Sequence, residues 1–157
     1  MTVYTVSFFG HRILYDSIRI EEQLEELVRE LLRTKQYVEF LVGKDGDFDI
    51  LVASVIRRCK RECRSDNSSL VWVLPYMTAD FRDNENSYRE YYDEIEVSSG
   101  THYKAAFQQR NRALIDRSDL AVFYVEKKEG GAYSTMKYAA VLVVEMINLY
   151  DIVEDER

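Results

Sequence analysis

Val3-Tyr4-Thr5-Val6-Ser7-Phe8-Phe9-Gly10-His11-Arg12 opens the chain with a β-branched and aromatic run that halts at a glycine and a basic pair. Residues 3–9 read as a central strand covered on both faces. An abrupt end of this kind is how an α/β sheet presents backbone N–H groups and a cation to a phosphate. The arrangement recurs twice. Tyr37 to Val42 ends at Gly43-Lys44-Asp45-Gly46-Asp47-Phe48-Asp49, and Asp119 to Val125 is followed by Gly130-Gly131, each ahead of a helix. Three such strand ends imply one ligand crevice along one edge of one sheet.

Between the strands the spacing turns helical. From Ile18 to Leu32 the apolar residues Ile20, Leu24, Leu27, Val28 and Leu31 share one face, and from Phe48 to Cys63 the buried side is Ile50, Leu51, Val52, Val55 and Ile56. Ser65 to Ser69 is a polar turn, and Leu70 to Leu74 is a third strand, ended by Pro75, the only proline. Residues 77–101 are acidic and tyrosine-rich, with a short helix near Glu85 to Tyr92 and an edge strand at Glu94 to Val97. Such an excursion serves as a lid, an interface or a solvated insertion. Tyr103 to Ile115 is a helix, Gly131 to Leu149 reads as one long apolar helix, and Asp151 to Arg157 reads as a frayed end. Val141, Val144 and Ile147 offer that last helix a face for homo-oligomer formation or for burial on the sheet.

This alternation predicts an α/β, Rossmann-like, doubly wound and mainly parallel sheet in a three-layer α/β/α sandwich, with residues 1–157 as a single domain. If strand order reverses beside the first strand, the Gly10 and Gly130 turns face each other across the switch point.

Composition narrows the ligand. A net charge of −7 argues against a broad footprint for nucleic acid and favours a small anionic ligand in a local basic pocket. The N-terminus lacks a basic stretch followed by a long apolar run, and nothing in the chain is apolar over a bilayer-spanning length, so a cytoplasmic protein with no membrane partner is expected. Cys59 and Cys63 are the only cysteines and His11 and His102 the only histidines, which reads as ordinary reduced thiols and no metal site. No cofactor is expected beyond a nucleotide-like ligand.

At the strand ends, Gly10 lets backbone approach a phosphate and Arg12 suits its oxygens bidentately. His11 is placed to donate to a ribose hydroxyl or phosphate, to transfer a proton, or simply to bond a carbonyl of the turn. Gly43 and Gly46 shape the second turn, with Lys44 and Asp45 as weaker candidates. Asp47 or Asp49 serves as helix cap or first-turn acid, and Asp49 alternatively binds a ligand hydroxyl. Gly130, Gly131, Ser134 and Thr135 open a helix whose N–H groups and hydroxyls suit a phosphate, or the hydroxyls cap the helix with no ligand. Neither a dinucleotide G-x-G-x-x-G nor a P-loop occurs. In Arg110-Asn111-Arg112, one side chain reaches the crevice or all three lie on a solvated face.

Taken in order, Phe9-Gly10-His11-Arg12, Gly43 through Asp49, Tyr88, Arg110-Asn111, Ser118-Asp119, and Gly130-Gly131 with Thr135, Tyr138 and Ala139 resemble the YpsA-like branch of the SLOG superfamily over nearly the whole chain. The resemblance implies a Rossmann-like fold and binding or sensing of a nucleotide or a nucleotide-derived, ADP-ribose-like ligand. It also implies kinship with cytokinin-activating phosphoribohydrolases, in which an arginine and the glutamate of G-G-x-G-T-x-x-E are catalytic. Arg110 matches that arginine. Tyr138 stands where the glutamate belongs, so the binding loops are kept and the carboxylate that would stabilise an oxocarbenium-like sugar is not. An N-glycosidase using Arg110 with Asp49, Glu126 or Glu129 is the alternative. A ligand-free interaction module built on 77–101 is a third.

Overall fold

The computed structural model describes residues 1–98 and 103–156. In chain order the elements are β1 (Val3–Gly10), α1 (Ser17–Thr34), β2 (Tyr37–Val42), α2 (Asp47–Glu62), β3 (Ser68–Leu74), α3 (Ala79–Asp83), α4 (Glu85–Tyr91), β4 (Glu94–Val97), α5 (Tyr103–Asp116), β5 (Leu120–Tyr124), α6 (Gly130–Val141), β6 (Glu145–Asn148) and α7 (Leu149–Asp155). All strand pairings are parallel, in the order β4-β3-β2-β1-β5-β6. The protein therefore has the α/β, Rossmann-like fold that the alternation predicts.

The continuous apolar runs of the central strands conceal a strict alternation between two cores. Val6 and Phe8 of β1, Phe40 of β2, Trp72 of β3 and Val122 of β5 face one cluster, while Phe9, Leu41, Val73 and Phe123 face the other. Helices α1, α2 and α7 close the first cluster through residues such as Leu24, Val52 and Val153, and α5 and α6 close the second through Leu114 and Ala139. Strands with both faces apolar are what a sheet buried between two helical layers requires. Beside β1 the order reverses: β2, β3 and β4 are added on one side and β5 and β6 on the other. The carboxyl ends of β1 and β5 thus splay apart at a switch point, where such sheets leave a crevice.

The last quarter of the chain departs from expectation. Instead of one helix over 131–149, α6 stops at Val141, β6 adds an edge strand, and α7 packs Leu149 and Val153 into the first core where a frayed tail is expected. The stop is a Schellman turn: Val143 N–H donates to the Ala140 carbonyl and Val144 N–H to the Ala139 carbonyl, both at 3.1 Å. The left-handed position of that motif is normally glycine, and here it is Val143, at φ 58°. With no glycine to mark the turn, a run of valines reads as helix. The helical face for self-association also dissolves, because Val144 lies in the turn and Ile147 on β6 while only Val141 belongs to α6. A β-branched residue in the left-handed region carries strain of about 1–2 kcal/mol. Val143→Gly is therefore expected to raise stability by about 1 kcal/mol, read as a melting temperature about 2–4 °C higher. An unchanged or lower melting point would show the turn to be unstrained.

The excursion after β3 is seated on the sheet through Trp72, whose ring lies 5.7 Å from Phe81, 4.8 Å from Tyr88 and 5.3 Å from Tyr92. Its last residues, 99–101, lie outside the described residues. Cys59 is buried and Cys63 exposed, both as free thiols. Among the described residues, no helix is long and apolar enough to cross a membrane.

Candidate functional site

A crevice of about 240 Å³ opens at the switch point. It brings together Gly10, His11 and Arg12 after β1, Gly43, Asp45 and Asp49 after β2, Arg110 and Asn111 from α5, and Gly130 and Gly131 at the start of α6. Gly46, Ser134 and Thr135 do not line it. Ser118 and Asp119 lie at the opposite end of the sheet, where Asp119 accepts the Thr5 N–H at 2.8 Å.

Each wall is fixed by local chemistry. A Cβ on Gly10 would come within 2.3 Å of the Phe48 ring, so this glycine is required by packing of α2 against the end of β1. A Cβ on Gly46 would lie 2.4 Å from the Arg12 Cα, because the β1 and β2 loops run in backbone contact. Asp47 ties them: its N–H donates to the Arg12 carbonyl at 2.8 Å and its carboxylate accepts the Leu14 N–H at 3.1 Å. At Gly131, by contrast, an added Cβ would meet no atom of the described residues within 4 Å, and the same is true of Gly130, which sits at φ +91°.

Arg110 is buried at 3% exposure. Its guanidinium donates to the Val73 carbonyl at 3.1 Å, to the Asn111 side-chain oxygen at 3.0 and 3.1 Å, and to the Asp45 carboxylate. Asn111 passes the connection on, donating to the Thr135 hydroxyl at 3.1 Å, and that hydroxyl donates to the Gly131 carbonyl at 2.8 Å. One line of hydrogen bonds thus runs from the β2 loop through α5 to the first turn of α6. The Thr135 hydroxyl is spent inside this line, and Ser134 accepts from Gln108 at 3.3 Å, so neither hydroxyl caps the first turn of α6. Arg112 lies over the Tyr138 ring on the outer face, 5.0 Å from its centroid.

Asp49 is buried beneath this network and accepts the Asp45 N–H at 2.9 Å. Burial and the nearby Asp45 carboxylate push its carboxyl up to about 7, although the Asp45 N–H, Arg110 and Arg12 pull the other way. His11 works as an acceptor on one side: its Nε2 accepts the N–H of Glu126 at 2.8 Å and of Lys127 at 3.2 Å, which leaves the ring proton on Nδ1. Burial chiefly, and Lys127, hold the imidazole below its ordinary value, against Glu126 and Glu129. His11 therefore pins the β5 loop to the β1 loop. Arg12 is exposed, and no hydrogen bond or ion pair engages its side chain among the described residues.

Sequence reasoning underrated Asp45, the carboxylate that pairs with Arg110. The signal lay in the crowding at Gly43, whose added Cβ would sit 3.0 Å from Asp49 Oδ2 and 3.1 Å from Asp45 Oδ2 and Arg110 Nη1, which no spacing rule reveals.

Two solved structures share this fold. The fold resembles that of DNA processing protein A. The Helicobacter pylori protein, whose structure describes a unique single-stranded DNA binding mode, is 16% identical, aligns with a TM-score of 0.63, and is matched over 91% of this chain and 63% of its own. DNA processing protein A (DprA) from Streptococcus pneumoniae is 13% identical, with a TM-score of 0.65 over 91% of this chain and 49% of its own. This chain thus spans less than two thirds of either neighbour. No family model matches the sequence, and no curated protein does.

A single-stranded DNA binding mode in the Helicobacter pylori DNA processing protein A corrects two expectations. The exclusion of nucleic acid falls, because a net charge of −7 is a sum over the chain, whereas a single strand is held by amides, a few cations and ring surfaces at one place. The assignment of the crevice to a free nucleotide or ADP-ribose-like ligand falls with it, as do the phosphoribohydrolase and ligand-free alternatives.

Proposed function

We propose that this chain binds single-stranded DNA in the cytoplasm, seating a backbone phosphate between the first turn of α6 and Arg12. The observation that carries the reading is the open start of that helix. Glu129, at the N-cap, makes no side-chain hydrogen bond to the first turn, and among the described residues nothing fills the space beside Gly130 and Gly131. Unsatisfied N–H groups at a helix start attract a phosphate, and the neighbouring Arg12 supplies a full charge. Likeness to DNA processing protein A supports a strand over a free nucleotide. The order of the motifs along the chain is also why we keep kinship with the SLOG superfamily, for descent alone, within the same proposal.

A strand held at one or two phosphates by an acidic protein has a shallow salt dependence. Each phosphate neutralised contributes about −0.7 to the slope of log K against log salt, so a slope of about −0.7 to −1.4 is expected. Fluorescence anisotropy with a labelled mixed-sequence single strand measures it. Arg12→Ala should weaken binding about tenfold and flatten the slope by about 0.7. Gly131→Glu should weaken binding at least as much with an unchanged melting temperature, since its side chain enters open space. Absence of binding at micromolar protein, or two variants that bind like the parent, would overturn the reading.

A further inference from the structure

Beyond His11 lies a second groove, of about 440 Å³, that shares His11, Arg12 and Gly130 with the crevice. Its floor differs in kind. Ile13 is 62% exposed and Tyr15 is 87% exposed, and both open onto it. A scattered exposed apolar residue is ordinary, but these two stand on a fastened loop. Arg12 and Leu14, on either side of Ile13, are the residues bonded to Asp47. A tyrosine ring exposed at the groove, one residue beyond the tied Leu14 N–H, is a surface for stacking.

The charge of the groove separates it from the crevice. Asp16, Glu126, Glu129 and Glu154 line it against Arg12 and Lys127. Among the described residues no salt bridge engages Glu126 or Glu129. Carboxylates repel a phosphate and accept hydrogen bonds from the exocyclic amine of a base, a group that cytosine carries and thymine lacks. A strand whose phosphate rests at Gly130 places an adjoining base at the mouth of this groove, because Gly130 lines both cavities.

We infer that the groove beyond His11 holds a base of the bound strand, stacked on Tyr15, and favours a base with an exocyclic amine over thymine. The inference rests on the reading of the crevice as a seat for single-stranded DNA. Binding of twelve-residue oligo-dC and oligo-dT at pH 8, measured by anisotropy for the parent, Tyr15→Ala, Tyr15→Phe and the double variant Glu126→Gln/Glu129→Gln, tests it. The parent should bind oligo-dC several-fold more tightly. Tyr15→Ala should weaken oligo-dC about tenfold, within the range of a lost base–aromatic stack, with its salt slope unchanged, and Tyr15→Phe should restore it. The double glutamine variant should erase the preference for oligo-dC. If Tyr15→Ala binds like the parent while Arg12→Ala is weakened, the base site is wrong and the phosphate seat stands. Equal binding of the two strands by the parent overturns the amine preference, and failure of both strands to bind overturns seat and groove together.

Discussion

Arg110→Ala is expected to lower the free energy of unfolding by about 2–3 kcal/mol, the cost of leaving a half-buried carboxylate and a buried carbonyl without their cation. Arg110 has 3% of its surface exposed and donates to Asp45, to the Val73 carbonyl at the end of β3 and to Asn111. Its removal strands the Asp45 charge, frees a strand-end carbonyl and breaks the hydrogen-bond line that reaches Thr135 and the first turn of α6. Urea denaturation of the variant measures the loss. The double variant Arg110→Ala/Asp45→Ala should lose less than the sum of the two single changes, because the stranded charge has gone with its partner. A stable Arg110→Ala protein deficient only in DNA binding would instead make this arginine a direct ligand contact.

How much of this was legible in the sequence depends on whether the cause was local. The strands at 3–9, 37–42 and 119–125 carry their burial in their own composition, and the glycines after them mark where the chain must turn, so the sheet and the position of its crevice could be read directly. The roles of those glycines could not. Gly10 is fixed by the ring of Phe48 and Gly46 by the backbone of Arg12, contacts made across 38 and 34 residues of chain. His11 reads as a ligand donor, a proton-transfer group or a turn residue alike, and what its Nε2 accepts is two amides from a loop about 115 residues away. Arg110 read as a catalytic arginine because that role follows from a motif; its burial against Asp45 follows from α5 lying over the end of β3. The final helix was misread for the opposite reason: a valine occupies the left-handed position that glycine ordinarily announces.

Stability is expected to fall as pH rises from about 4 to about 7, with Asp49 as the source. The ordinary value of its carboxyl is 3.8, and in the fold burial and Asp45 raise it to about 7. Between those values the folded protein holds a proton that the unfolded chain has released, so the unfolded state binds fewer protons and unfolding becomes easier with each step in pH. Below 3.8 both states are protonated and the contribution is fully present; above 7 both are ionised and it is lost. At about 1.4 kcal/mol per pH unit, the whole window is on the order of 4 kcal/mol. Asp49→Asn cannot ionise, while its amide oxygen can still accept the Asp45 N–H. The stability of Asp49→Asn relative to the parent should therefore climb by that order between pH 4 and pH 8, since every other titrating group cancels in the difference. Parallel pH profiles for the two proteins would show Asp49 ionised in the ordinary way. The same proton bears on the proposed phosphate seat. Near neutral pH, Asp49 is uncharged in a large fraction of molecules, and the Asp45 charge is paired with Arg110. The floor of the crevice is then close to neutral, and the first turn of α6 and Arg12 can draw in a phosphate that two bare carboxylates would repel.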